Sequence, residues 1–187
     1  SSWLATPVGA AIMAFVLYHI FQVLLRFVPI SDRVMHWLLT ISGVLVAFSW
    51  GANDVANATG VIVGAGLMSS FWATVMGGAA IALGVLTWGY RIMDTVGHRI
   101  THLAPAMALV AEVASALNIQ VYTLLGIPVS TTHSIVGAVV GVGLVRGYNA
   151  IDRKTARDIM LAWTATPVLS AAMAAVFYTI LKAIVPT

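Results

Sequence analysis

Residues 35–89 read MHWLLTISGVLVAFSWGANDVANATGVIVGAGLMSSFWATVMGGAAIALGVLTWG, and this stretch decides the class of fold. Its one formally charged side chain is Asp54. A helix crosses a bilayer with about 20 mainly apolar residues, so the stretch has room for two crossings. Three further runs have the same character: Trp3–Leu25, Leu103–Val145 with Glu112 as its only charge, and Ile159–Ile184 with Lys182 near its end. Hydropathy therefore predicts six passes in an all-α polytopic membrane protein. The fourth and fifth segments form either two crossings or a re-entrant hairpin, because Pro128 interrupts them.

Composition agrees. Of 187 residues 60% are hydrophobic and 8% charged, where a soluble domain carries roughly a quarter charged. The mean hydropathy is +0.99 and the pI about 9.6. That basic balance does not indicate nucleic acid, because the nine Lys and Arg lie between apolar runs. There is no cysteine, which excludes disulfides and thiolate metal sites. The chain opens on Ser1 and Ser2 before an apolar run, unlike a signal peptide and as if cut from a longer protein.

Eight of the nine basic residues fall on one side of the predicted crossings: Arg26 and Arg33; Arg91 and Arg99; Arg146, Arg153, Lys154 and Arg157. The positive-inside rule makes loops 26–36, 90–102 and 146–158 cytoplasmic, so both chain ends face outward. Trp3–Phe21 (WLATPVGAAIMAFVLYHIF) also aligns with Trp163–Leu181 (WTATPVLSAAMAAVFYTIL) at eleven identical positions of nineteen. By the same count the two copies run in opposite directions through the membrane. Such inverted repeats mark secondary transporters with broken or re-entrant helices and a substrate near the midplane. Residues 1–33 then read as the last helix and loop of a first repeat, and 34–187 as a second repeat of about five membrane segments.

Three groups carry chemistry inside the apolar runs. In Gly51–Gly60, Asn53 and Asn57 share a helix face with Asp54 beside them. A carboxylate and two carboxamides in lipid are costly unless they pair or hold something, and oxygen ligands suit a hard cation such as sodium. In Gly126–Ser134, Pro128 ends one helix and Ser130, Thr131 and Thr132 open the next as natural N-caps. A helix start at membrane depth offers backbone N–H groups and a positive dipole end to an anion, and the hydroxyls add donors. An ordinary capped turn would use the same residues. Glu112, in the small-residue stretch 107–117, has the make-up to bind a cation, relay a proton or pair with a polar group.

GANDVANA at 51–58 and GIPVSTTH at 126–133, with Trp163-x-x-x-Pro167 and Ile100–Pro105, closely resemble the second-half signature of the inorganic phosphate transporter (PiT) family. The resemblance covers nearly the whole chain. It implies an inverted-repeat carrier, not an enzyme, that imports phosphate with sodium or protons across the cell membrane. It implies that Asn53, Asp54 and Asn57 belong to the substrate and ion motif, that Ser130, Thr131 and Thr132 contact phosphate, and that Glu112 is a membrane glutamate of the coupling machinery. It also implies a missing first half as partner, with a homodimer as a further possibility. Rival readings are a sulfate permease of related fold, an anion channel, and an intramembrane hydrolase built on Ser130, His133 and Asp54.

Overall fold

The structure is a computed structural model that describes residues 2–184, and within them every side chain except those of residues 92, 98, 183 and 184. Six α-helices follow one another: α1 (Ser2–Phe27), α2 (Asp32–Gly64), α3 (Ser70–Asp94), α4 (Pro105–Leu124), α5 (Thr131–Val145) and α6 (Arg153–Ile184). A π-helical turn (Thr95–Arg99) and a short 3-10 turn (Tyr148–Ala150) fill two of the connections. No strand occurs among the described residues.

The helix ends are written into the sequence. Ser31 caps α2, its hydroxyl accepting from the Val34 N–H at 3.4 Å, and Asp32 places a negative charge at the positive end of the helix. Pro105 starts α4, where its missing N–H costs nothing. At the other end of α4, Gly126 adopts φ +66°. The Ile127 N–H reaches back to the Tyr122 carbonyl at 2.9 Å and the Gly126 N–H to the Thr123 carbonyl at 3.0 Å. This is a Schellman stop, and Pro128 then prevents continuation. Gly66 ends α2 in the same way.

The described residues up to 151 form one compact unit and those from 152 onward another. In the first unit, α1, α4 and α5 interlock. Gly137 and Gly141 of α5 lie against the backbones of Pro7 and Ala11 of α1, so close that a side chain at either glycine would collide with the α1 main chain. The two contacts ascend together, so α1 and α5 run parallel, as the order of crossings requires of the first and fifth segments. Met107, Ile119, Val139 and Val142 fill the space between the helices and are fully buried. Asn118 of α4 ties the three together, donating to the Thr6 carbonyl at 3.2 Å and the Ser134 hydroxyl at 3.0 Å. Outside this core, α2 packs on α4 and α3 on α2. Large apolar side chains such as Phe48 and Leu86 point outward, as helices facing lipid require. The second unit is α6 alone, with no described residue buried.

Five helices are long and apolar enough to cross a membrane: α1, α2, α3, α4 and α6. The helix α5 has 15 residues, about 22 Å at the helical rise, against a hydrocarbon core of about 30 Å. Of the two sequence readings, that length favours the hairpin over a sixth full crossing. The basic residues also sit differently from the expected loops. Arg26 ends α1 and Arg91 lies in the last turn of α3, while Arg153 and Lys154 open α6. The helices outgrow the apolar runs, and the connections shrink to short turns.

Candidate functional site

The break between α4 and α5 brings its tip against the polar segment of α2. Asn53 lies buried on α2 and its side-chain nitrogen donates to the Val129 carbonyl and to Asp54 Oδ1, both at 2.9 Å. Asn57, one helical turn on, reaches the same carbonyl at 3.3 Å. Thr131, the first residue of α5, donates its hydroxyl to Asp54 Oδ2 at 3.0 Å. Both carboxylate oxygens thus accept hydrogen bonds, one from its own helix and one from the hairpin. The ion pairs among the described residues, Arg99–Asp94 and Arg157–Asp158, lie elsewhere.

Ser130 is the N-cap of α5, accepting from the His133 N–H at 3.3 Å. Its hydroxyl therefore satisfies the helix start, as the sequence reading expects of a capping serine. The first N–H groups of any α-helix have no intrahelical acceptor, and this helix start is tied to Asp54 through the Thr131 hydroxyl. Thr132 is exposed at the tip.

The structure does not bring Glu112 to this cluster. Glu112 Oε2 accepts from the Ser42 hydroxyl at 2.5 Å, and Ser42 lies 11 residues before Asn53 on α2, about 16 Å along the helix. Ser42 carries only the signal of a lone hydroxyl in an apolar run. Beside this pair a cavity of about 300 Å³ opens between α2 and α4, lined by Ser42, Ser49 and Gln120 among apolar side chains. The Val129 carbonyl, the acceptor that joins the hairpin to α2, is a backbone atom without a sequence signal. Nor do Ser130, His133 and Asp54 form a hydrolase triad. The Ser130 hydroxyl is engaged by main chain, Asp54 by Asn53 and Thr131, and the His133 ring packs against Trp3 with centroids 5.7 Å apart.

Apolar helices that enclose a polar cluster at a broken helix define a multi-pass membrane protein with a transporter fold. The chain belongs to the phosphate transporter family, whose sequence profile matches residues 29–174. That family comprises transporters rather than enzymes. A protein of Pyrococcus abyssi named as a phosphate permease is 40% identical over 162 residues, which cover 81% of this chain and 40% of that protein. A phosphate permease by name from Chlamydia muridarum is 36% identical over 164 residues, 83% of this chain and 38% of that protein. A chloroplast inorganic phosphate transporter of Arabidopsis thaliana is 33% identical over 157 residues, 77% of this chain and 27% of that protein. A solved structure described as the sodium-dependent phosphate transporter superposes with a TM-score of 0.81 at 25% identity, covering 98% of this chain and 66% of that one. The chain spans about two fifths of the length of the first two relatives.

Proposed function

We propose that this chain is the second-repeat part of a carrier that imports inorganic phosphate together with sodium. In this reading α1 is the last helix of a first repeat, and the Arg-bearing helix ends face the cytoplasm. The observation that carries it is Asp54, whose carboxylate is bonded by Thr131 at the start of α5. An α-helix N-terminus with adjacent hydroxyls attracts an oxyanion. A carboxylate beside that anion repels it, by about 4 kcal/mol at 4 Å and an effective dielectric of 20. A cation between the two removes the repulsion, so anion and cation bind together. That is the thermodynamic basis of symport.

The donor set favours sodium as the cation. The amide nitrogens of Asn53 and Asn57 are engaged with Val129 and Asp54. In this reading their side-chain oxygens, with Asp54, supply the hard oxygen ligands a sodium ion prefers. In this reading phosphate takes the N-terminal turn of α5 with Ser130, Thr131 and Thr132, while sodium takes Asp54 and Asn57. Glu112 serves the coupling at a distance, through Ser42.

The test uses the full-length parent protein in liposomes. Uptake of radiolabelled phosphate is measured under an inward sodium gradient, under an inward proton gradient and without either, with excess sulfate as competitor. Sodium-driven uptake unaffected by sulfate, and reduced at least about a hundredfold in Asp54→Asn, is the expected result. Proton-driven uptake would replace sodium in the scheme, and uptake of sulfate in place of phosphate would overturn the substrate.

A further inference from the structure

Helix α1 meets α5 through a face that α6 repeats. Pro7 and Ala11 present the main chain on which Gly137 and Gly141 of α5 rest, among the buried Thr6, Ala10 and Ala14. The aligned residues of α6 are Thr166, Pro167, Ser170, Ala171 and Ala174. Four of the five are identical to their counterparts in α1, and Ser170 differs from Ala10 by one hydroxyl. At spacings of three and four they form one stripe along the helix. All five are exposed. In lipid no hydrophobic force draws helices together, and small side chains along a stripe serve the close approach of two backbones. In α1 such a stripe lies under another helix.

Inverted repeats are related by a two-fold axis in the membrane plane, and a two-fold axis returns every contact between the parts it relates. With α1 as the last helix of a first repeat, the packing of α1 on α5 is a contact between repeats. Its symmetric mate joins α6, the last helix of the second repeat, to the first repeat's equivalent of α5. We infer that the stripe from Thr166 to Ala174 is the docking surface for that helix of the first repeat. The helix follows a hydroxyl-bearing break, runs parallel to α6 as α5 does to α1, and sets small residues four apart on Pro167 and Ala171. Each last helix then completes the core of the other repeat. The relatives have chain enough to supply it, since this chain spans about two fifths of the length of those in Pyrococcus abyssi and Chlamydia muridarum. A second copy of α6 fits the stripe less closely: α6 contains no glycine, so two copies would meet through β-carbons where α1 meets bare glycine backbone. The docking rests on the reading of α1 as the end of a first repeat, and not on the substrate.

Two measurements on the full-length parent test this. The first compares Ala171→Leu with Ala172→Leu. Ala171 aligns with Ala11, which lies under Gly141, whereas Ala172 aligns with Ile12, a large side chain that α1 leaves 60% exposed. Ala171→Leu is expected to raise the unfolding equilibrium constant of the purified parent about tenfold or more, as overpacking does, and Ala172→Leu to change it by no more than about twofold. The second places Ala171→Cys in a cysteine-free parent, with a second single cysteine moved along the first-repeat helix. A disulfide needs α-carbons within about 7 Å, so oxidation is expected to cross-link Ala171→Cys within one molecule, on one face of that helix, beside its pair of small residues. Cysteine is small enough to keep the packing, so this readout holds even where Ala171→Leu fails to accumulate. Equal effects of the two leucines would overturn the docking. Absence of cross-links to that helix would overturn it whichever way the leucines fall, and dimers formed through Ala171→Cys alone would give the stripe to a second copy instead. Neither measurement involves uptake, so a parent that carries no phosphate leaves the docking standing. A parent whose first part holds no hydroxyl-bearing broken helix would defeat the repeat reading, and the docking with it.

Discussion

Helices α1 and α6 share eleven of nineteen aligned residues and differ in almost every tertiary respect. In both, the threonine before the proline turns its hydroxyl back to the carbonyl four residues earlier, Thr6 to Ser2 at 2.7 Å and Thr166 to Ala162 at 2.8 Å. Both helices continue through an internal proline. Yet Thr6, Ala10, Ala14 and Tyr18 are buried, whereas their counterparts Thr166, Ser170, Ala174 and Tyr178 are exposed, Tyr178 at 68%. Local sequence dictates the helix and its back-bonded threonine. In α1 burial comes from packing within its own unit, where α5 sets Gly137 and Gly141 against Pro7 and Ala11.

The largest expected effect breaks that match. Gly137→Val and Gly141→Val each push a branched side chain into the main chain of α1, at Pro7 and Ala11. Backbone cannot yield as a side-chain tip can, so each is expected to destabilise the unit by about 3 kcal/mol or prevent its accumulation. Ala171→Val, the position in α6 that aligns with Ala11, is expected to change the stability of this chain by less than about 0.5 kcal/mol. Denaturation of the purified chain in detergent, followed by circular dichroism, compares the two. Equal effects would mean that the glycine contacts do not distinguish α1 from α6.

A smaller effect sharpens the comparison at one buried polar group. Asn118 bridges α1 and α5 through the Thr6 carbonyl and the Ser134 hydroxyl. Asn118→Ala leaves both without that partner in a buried setting, at a cost of about 1–3 kcal/mol by the same denaturation. Thr166→Ala, on the exposed copy of the Thr6 position, is expected to be near neutral. A neutral Asn118→Ala would mean that packing alone joins the three helices.

Most of the fold is legible in the sequence because its signals are local. Apolar runs, Ser31 and Ser130 as caps, and the Gly126–Pro128 stop each act within a few residues. The association of Asn53, Asp54 and Asn57 with Thr131 is legible as chemistry, since polar groups in apolar helices must find one another. What escapes is pairing over long sequence separations through groups without distinctive identity. The Val129 carbonyl carries no side-chain signature, Ser42 resembles any serine, and the separation of Glu112 from Asp54 follows from which turn of α4 meets which turn of α2. The start of α5 at the Ser130 cap is legible for the same local reason, whereas the choice between a hairpin and two crossings is not, because hydropathy continues across Pro128.

The smallest expected effect concerns how α6 starts without a buried face. Asp152 precedes its first residue, and Oδ1 accepts from the Thr155 N–H at 2.6 Å, the arrangement of a helix N-cap. That backbone bond, with the Thr155 hydroxyl and the nearby Lys154 charge adding to it, holds the fully exposed Asp152 carboxyl below its ordinary value of 3.8. The depressed folded value sets the sign: the cap's contribution is complete above the unfolded value near 3.8 and is lost as pH falls through the lower folded value. Exchange of the first-turn amides of α6, corrected for intrinsic pH dependence, is therefore expected to be flat from neutral pH down to about 4 and to rise about two- to threefold below it. Asp152→Asn keeps a capping oxygen that does not titrate, so its corrected profile stays flat throughout, while Asp152→Ala exchanges faster at every pH. A wild-type profile as flat as that of the Asn variant would show that the charge contributes nothing, and that α6 begins where it does on helix propensity alone.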